Sequence, residues 1–224
     1  MTGKLYGIGT GPGDPELMTL KALRIIKNCD VIAVPDSDPD KCIAYTTAKH
    51  AVPEIIEKRL LCVPFMMSGT LEKRMQCRIE NAETIARVLD SGSDTAFLTI
   101  GDPTIYTTFG YVAEILMKRG YETEFINGVP SFCAAAARMN KMLCIGTEGL
   151  EIIPGAAEPE KKTRVYMKNE RNLEQLLAEL RSEGADAQIV ERCCLDGERV
   201  FSSISDLPDD IGYFNIIIVN EKES

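Results

Sequence analysis

The chain is short of histidine, of closely spaced cysteine pairs and of positive charge, and each shortage removes a class of function. One histidine, His50, stands in 224 residues, and the eight cysteines contain no Cys-x-x-Cys spacing. A structural zinc site needs four such ligands gathered in short pairs, so no metal site is expected. Basic residues number 25 against 34 acidic ones, a formal net charge of −9. Non-specific nucleic-acid binding rests on a basic footprint, and an anionic membrane surface is disfavoured for the same reason. An anionic small ligand would have to be held by local donors rather than by the overall field. No apolar run approaches the roughly 20 residues of a membrane span. No charged-then-apolar leader opens the chain either, so a cytoplasmic location with reduced thiols is the expectation.

A complete phosphate loop is also missing. The opening stretch KLYGIGTGPGDPELMTLKAL carries Gly7, Gly9, Gly11 and Gly13 between an apolar strand and an acidic start of a helix. A dinucleotide fingerprint needs G-x-G-x-x-G. Counting from Gly7 the last position is Pro12, and counting from Gly9 it is Asp14. A Walker loop would place Lys and Ser or Thr after the final glycine, where Asp14 stands. An acid at a helix start also opposes a phosphate there. What remains is a loop without side-chain bulk that lets a large flat ligand approach backbone closely.

What the chain does hold is an ordinary hydrophobic share, 45%, enough for one large α/β domain or two of about 100 residues each. Strand signals at 4–9, 30–35 and 95–100 alternate with helical patterns, one capped by Asp14 and Pro15 with a stripe through Leu17, Leu20, Leu23 and Ile26. Two more helices are expected at 71–89, with Leu71, Met75, Ile79, Ala82, Ala86 and Leu89 on one face, and from about Ile105 to Arg119. The connections are long enough for parallel crossovers. After Gly120 strands are expected at 121–126, 163–167, 187–191, 199–204 and 215–220. Between them fall an Ala-rich helix ending at Arg138 and one capped by Asn172 with Leu173, Leu176, Leu177 and Leu180. The domain boundary is placed near Gly120, giving domains 1–120 and 121–224. GAAEPEKK (155–162) reads as a loop. Most cysteines sit in apolar or helical contexts, where a thiol acts as a small hydrophobe.

Four segments spend unusual residues. Beside the glycine loop, IGDPTIYTTF (100–109) follows the clearest buried strand, and ligands of parallel sheets sit off strand carboxyl ends. There Gly101 permits a sharp turn and Asp102 either caps the helix or faces a ligand. NGVPSFCAAAAR (127–138) opens an Ala-lined helix that suits a ligand or a tight helix seam. In VYMKN (165–169), Met167 ends a strand as core or as contact.

Together, GIGTGPGDPELMTLKA, DVIAVP, IGDPTIY, GVPSFCAAAAR and VYM resemble the tetrapyrrole (corrin/porphyrin) methylase family along nearly the whole chain. The detail TIGDPTIYTTF, with GVPSF and EGLEIIP, looks most like the members that methylate C20 of precorrin-2 or of its cobalt form, cobalt-factor II. The resemblance implies two α/β domains with S-adenosyl-L-methionine in the cleft between them, a small-molecule tetrapyrrole substrate and a homodimer. It implies cofactor contacts at Pro12, Gly101, Asp102, Ile105, Thr107, Pro130, Ser131, Met167 and, more loosely, Cys193. The glycine loop is then expected to edge the tetrapyrrole. Transfer to a bridging carbon is an in-line displacement helped mainly by orientation and exclusion of water. Asp102 is the candidate acceptor of the C20 proton, as the acid placed in a motif loop near the donor; the acid that members of the family often carry directly after the second strand is here displaced to Asp36 behind Pro35. Lys21, Arg24 and Arg138 are candidate holders of substrate carboxylates. Other substrates within the superfamily, RNA or protein, and a binding module without turnover remain the alternatives.

Overall fold

A computed structural model describes residues 2–146, 148–154, 163–167, 173–208, 210–212 and 214–220. The chain divides into two compact units, Met1–Pro130 and Ser131–Ser224. The anticipated GAAEPEKK loop and the Asn172 cap lie outside the described residues.

The first unit is a five-stranded sheet of order β3-β2-β4-β1-β5. Its strands are β1 (Leu5–Gly9), β2 (Val31–Val34), β3 (Arg59–Cys62), β4 (Thr95–Thr99) and β5 (Thr123–Ile126). Every pairing is parallel. Four helices cross between them: α1 (Leu20–Asn28), α2 (Ile43–Ala51), α3 (Leu71–Asp90) and α4 (Thr108–Lys118). Successive strand residues face opposite sides, and the core divides accordingly. Ile8, Ile32, Val34, Ala96 and Leu98 pack with Ala22 and Ile26 of α1 and Tyr45 and Ala48 of α2. Leu5, Ala33 and Phe97 pack with Ile85 and Leu89 of α3 and Val112 and Leu116 of α4. A sheet covered on both faces explains why its strands read as unbroken apolar runs. On the α3/α4 side the rings of Phe65, Phe97, Phe109 and Phe125 follow one another at centroid separations of 6.3, 5.4 and 5.1 Å.

The second unit holds a mixed sheet of order β6-β7-β10-β8-β9. Its strands are β6 (Leu150–Pro154), β7 (Thr163–Met167), β8 (Asp186–Glu191), β9 (Arg199–Phe201) and β10 (Asn215–Asn220). Only β6 and β7 run parallel; β10 pairs antiparallel with β7 and β8, and β8 antiparallel with β9. Helix α6 (Leu173–Ser182) buries Leu176, Leu177 and Leu180 against Tyr166, Ile189, Ile217 and Val219. Helix α5 (Ser131–Arg138) lies against β10.

Five expectations are corrected. The boundary falls at Pro130, not Gly120, because β5 pairs with β1 from Leu5 opposite Thr123 to Ile8 opposite Ile126. Asp14 and Pro15 start only a short 3-10 turn, Pro15–Leu17, and the helix proper is capped by Thr19, whose hydroxyl accepts from the Ala22 amide at 3.2 Å. Leu20, expected on the apolar stripe, is 84% exposed. Helix α4 begins at Thr108, so Ile105 remains in the loop. Leu71 and Met75 are 65% and 44% exposed at the start of α3, whose buried face begins only at Asn81.

Candidate functional site

Strand order places β1 beside β4, yet the helices that follow them leave to opposite faces, α1 to one and α4 to the other. That is a topological switch point, and its crevice lies off the strand carboxyl ends. The segments after β1, β4 and β5 therefore meet there, and hydrogen bonds knit them into one piece. The Thr10 amide donates to the Thr99 carbonyl at 2.9 Å, and the Thr10 hydroxyl donates to the same oxygen at 3.1 Å. Gly11 and Gly101 form an isolated antiparallel bridge, Gly101 N–H to Gly11 carbonyl at 2.8 Å and the reverse at 3.2 Å. Both sit at positive φ, +72° and +71°, a region glycine enters without strain.

Asp102 joins the β4 loop to the β5 loop. Its Oδ1 accepts from the Thr104 amide at 2.8 Å and the Thr104 hydroxyl at 2.5 Å. Its Oδ2 accepts from Asn127 Nδ2 and from the Gly128 amide, each at 3.1 Å. The residue is 6% exposed. Burial pushes its carboxyl pKa up, but the bonds from Thr104, Asn127 and Gly128 outweigh burial and leave it below the ordinary aspartate value. Four donors on two oxygens favour a strut between loops over a proton acceptor. Thr107 shares a 2.7 Å hydroxyl contact with Thr99 and caps α4 through the Phe109 amide at 3.1 Å. Between them Tyr106 takes φ +46°, a conformation costly for a bulky side chain.

The glycines of the opening loop divide by role. A β-carbon on Gly7 would lie 2.1 Å from the Phe109 ring. One on Gly9 would lie 2.6 Å from both the Gly101 carbonyl oxygen and the Gly128 nitrogen. These two glycines make room for the protein's own ring and loops, which corrects the expectation that they serve a ligand. Gly101 differs: a β-carbon there would meet only the Pro130 Cα, at 3.9 Å. There it is the left-handed φ, not crowding, that calls for glycine.

Of the residues anticipated from sequence, Pro12, Gly101, Asp102, Ile105, Thr107 and Pro130 all lie on these three segments of the first unit. In the second unit Ser131 opens α5. Met167 ends β7 opposite Ile216 of β10 and is half-buried. Cys193 is buried after β8, its sulfur 3.9 Å from that of Cys194. Arg192 and Cys194 flank it at φ +50° and +60°. Cys193, Cys194 and Glu198 bring three ligand atoms within 4.8 Å of one another. Arg138 already faces them, its Nε 3.6 Å from Glu198 and one terminal nitrogen 4.0 Å from the Cys194 sulfur. A guanidinium beside the carboxylate competes with any cation there. Lys21 is engaged by Glu124 at 2.6 Å, which weakens its candidacy for substrate carboxylates. Asn127 and Gly128 were missed as site residues, although Asn-Gly directly after an expected strand is a turn signal.

Comparison with known proteins gives concordant results. A family model described as tetrapyrrole (corrin/porphyrin) methylases matches residues 4–208. A Methanocaldococcus jannaschii protein named "Probable cobalt-precorrin-2 C(20)-methyltransferase" is 38% identical over 204 residues, 88% of this chain and 86% of that protein. The cobalt-precorrin-2 C(20)-methyltransferase of Salmonella typhimurium is 28% identical over 238 residues, 99% of this chain and 98% of its own. Among solved structures, uroporphyrin-III C-methyltransferase from Thermus thermophilus, complexed with S-adenosylhomocysteine, matches with a TM-score of 0.67 at 20% identity, over 98% of each chain. At that identity the likeness is one of fold.

Proposed function

Because this chain belongs to the tetrapyrrole (corrin/porphyrin) methylases, we propose that it is an S-adenosylmethionine-dependent methyltransferase acting on C20 of precorrin-2 or its cobalt form in cobalamin biosynthesis. The observation that carries the reading is the near full-length similarity to two proteins named for C20 methylation of cobalt-precorrin-2. Their names favour the cobalt-bearing ring. The homodimer and the cytoplasmic location implied by the family belong to the same proposal. In its favour, no described helix is long and apolar enough to cross a membrane.

The residues present suit the methyl donor. The left-handed glycine at 101 turns the loop after β4, and the segments around it are braced from within by Asp102, Thr99 and Thr107. We assign donor contacts to Pro12, Gly101, Asp102, Ile105, Thr107 and Pro130 on the first unit and to Ser131, Met167 and Cys193 on the second. S-adenosylmethionine supplies a sulfonium methyl that is already electrophilic. What this chain adds is orientation: a braced loop fixes the donor's position, and a near-attack geometry is worth several kcal/mol, up to about 7–11. In that scheme Asp102 positions the loop through Asn127 and Gly128 and leaves the C20 proton to another acceptor.

The test is product mass after incubation with S-adenosylmethionine and cobalt-factor II or precorrin-2 in parallel. Gain of one methyl group supports the enzyme. Donor binding by calorimetry with no mass gain on either ring would reduce the chain to a binding module.

A further inference from the structure

The first two turns of α3 carry two arginines that have no carboxylate partner among the described residues. Several other cations of the first unit have carboxylate partners: Lys4 with Glu122 and Glu124, Lys21 with Glu124, Lys27 with Glu54, Lys118 with Glu114. Arg74 has none among the described residues, and its Nε is sealed from solvent without any acceptor. Arg78 lies with its guanidinium carbon 3.4 Å from the centre of the Tyr111 ring, and it contacts the Met75 sulfur at 3.5 Å. A nitrogen that water cannot reach is closed to a ligand as well, so what bears on binding is the cation's lack of a carboxylate partner among the described residues. A guanidinium stacked on an aromatic ring keeps its in-plane donors available for a carboxylate fork.

Position strengthens the case. Arg74 and Arg78 are four residues apart, so one helix face holds them about 5–6 Å from each other at Cβ. Because α3 follows β3 and runs back beside the sheet, its first turns stand at the strand carboxyl ends. Two bonds fix that end of the helix: Asn81 Nδ2 donates to the Pro64 carbonyl at 2.9 Å, and the Cys77 thiol donates to the same oxygen at 3.4 Å. Tyr111 sits in the first turn of α4, directly after the IGDPTIYTTF loop. Met66, Met67, Leu71, Met75, Tyr106 and Tyr111 are 43–66% exposed at this same end. A cluster of exposed apolar side chains marks a binding surface more often than chance. Methionine and tyrosine beside two arginines without a carboxylate partner among the described residues match a flat apolar ring rimmed with carboxylates.

Resting on the proposed substrate class, we infer that Arg74 and Arg78 form the carboxylate-binding site for the tetrapyrrole's acidic side chains. The protein is net acidic, so attraction for a polyanionic ring has to come from local cations such as this pair. Lys21 is already bound by Glu124 and does not share the role.

The experiment titrates the full chain with two probes: a polycarboxylate porphyrin, and the same ring with its carboxylates amidated. Arg74→Gln and Arg78→Gln should each weaken carboxylate-ring binding by about tenfold, one charge-assisted contact apiece. Both variants should leave the already weak amidated ring untouched and leave S-adenosylmethionine affinity within about twofold of wild type. Arg→Lys should restore part of the loss. In turnover the variants raise KM for the ring rather than lowering kcat. A double glutamine variant that binds the carboxylate ring as wild type does overturns the inference. If wild type methylates neither precorrin-2 nor cobalt-factor II but the variants still lose carboxylate binding, the site stands while the enzymatic reading falls.

Discussion

Replacing Asp102 with asparagine turns one of two acceptor oxygens into an NH2 group facing two donors. Whichever way the amide points, it opposes either the Thr104 amide and hydroxyl or the Asn127 and Gly128 nitrogens. The remaining oxygen keeps two bonds but loses its charge. Hydrogen bonds to a charged acceptor contribute about 1.5–3 kcal/mol each, so a net loss of about 2–4 kcal/mol is expected. For a chain of this size that lowers Tm by roughly 5–15 °C. The pH dependence has a definite sign. The folded pKa of Asp102 is lowered, so its contribution is complete above the unfolded value near about 3.9 and is lost as pH falls through the folded one. The gap between wild type and variant should hold through neutral pH and close only below about pH 4. Thermal denaturation across pH and calorimetric binding of S-adenosylmethionine read both effects, with donor affinity falling alongside stability. A variant with wild-type Tm and donor affinity but turnover reduced by orders of magnitude would refute the strut and restore Asp102 as proton acceptor.

Two further outcomes follow from packing and burial. Gly9→Ala places a β-carbon 2.6 Å from two backbone atoms of neighbouring loops; overpacking of this kind costs about 1–3 kcal/mol or more. It should lower Tm and donor affinity together, while Gly110→Ala, whose β-carbon meets only the Thr107 methyl at 3.9 Å, should do neither. Brief alkylation of the native chain, read by peptide mass, should label exposed Cys62, Cys133 and Cys144 and spare buried Cys29, Cys42 and Cys193. Burial pushes the Cys29 thiol up to about 12, so it stays protonated near neutral pH, and early labelling there would contradict the core packing.

How much of this was legible in the sequence depended on whether a residue's reason was local. The strands around Ile32, Phe97 and Ile217 announced themselves as apolar runs because both faces of each sheet are covered. The edge strand β3, half-exposed as Arg59–Cys62, and helix α2, with two threonines and no side-chain cap at Cys42, gave no such signal; packing rather than propensity holds them. The boundary near Gly120 was misplaced because pairing of β5 with β1 joins residues more than 110 positions apart, which no window along the chain detects. At the site, the loops themselves were visible as IGDPTIYTTF and NGVPSF. The task of Gly7 was not, since it answers to the Phe109 ring a hundred residues later. Nor did a sequence show that the acceptors of Asp102 were already filled, or that the Arg74 Nε would find no acceptor among the described residues.

The most direct measurement of the central claim is the position of the transferred methyl. Cobalt-factor II is incubated with the protein and an S-adenosylmethionine isotopically labelled in its methyl group, and the product is examined by carbon NMR. A single labelled methyl on C20 is the predicted result. Label on another ring carbon, or none in a chain that binds the donor, would contradict the assignment.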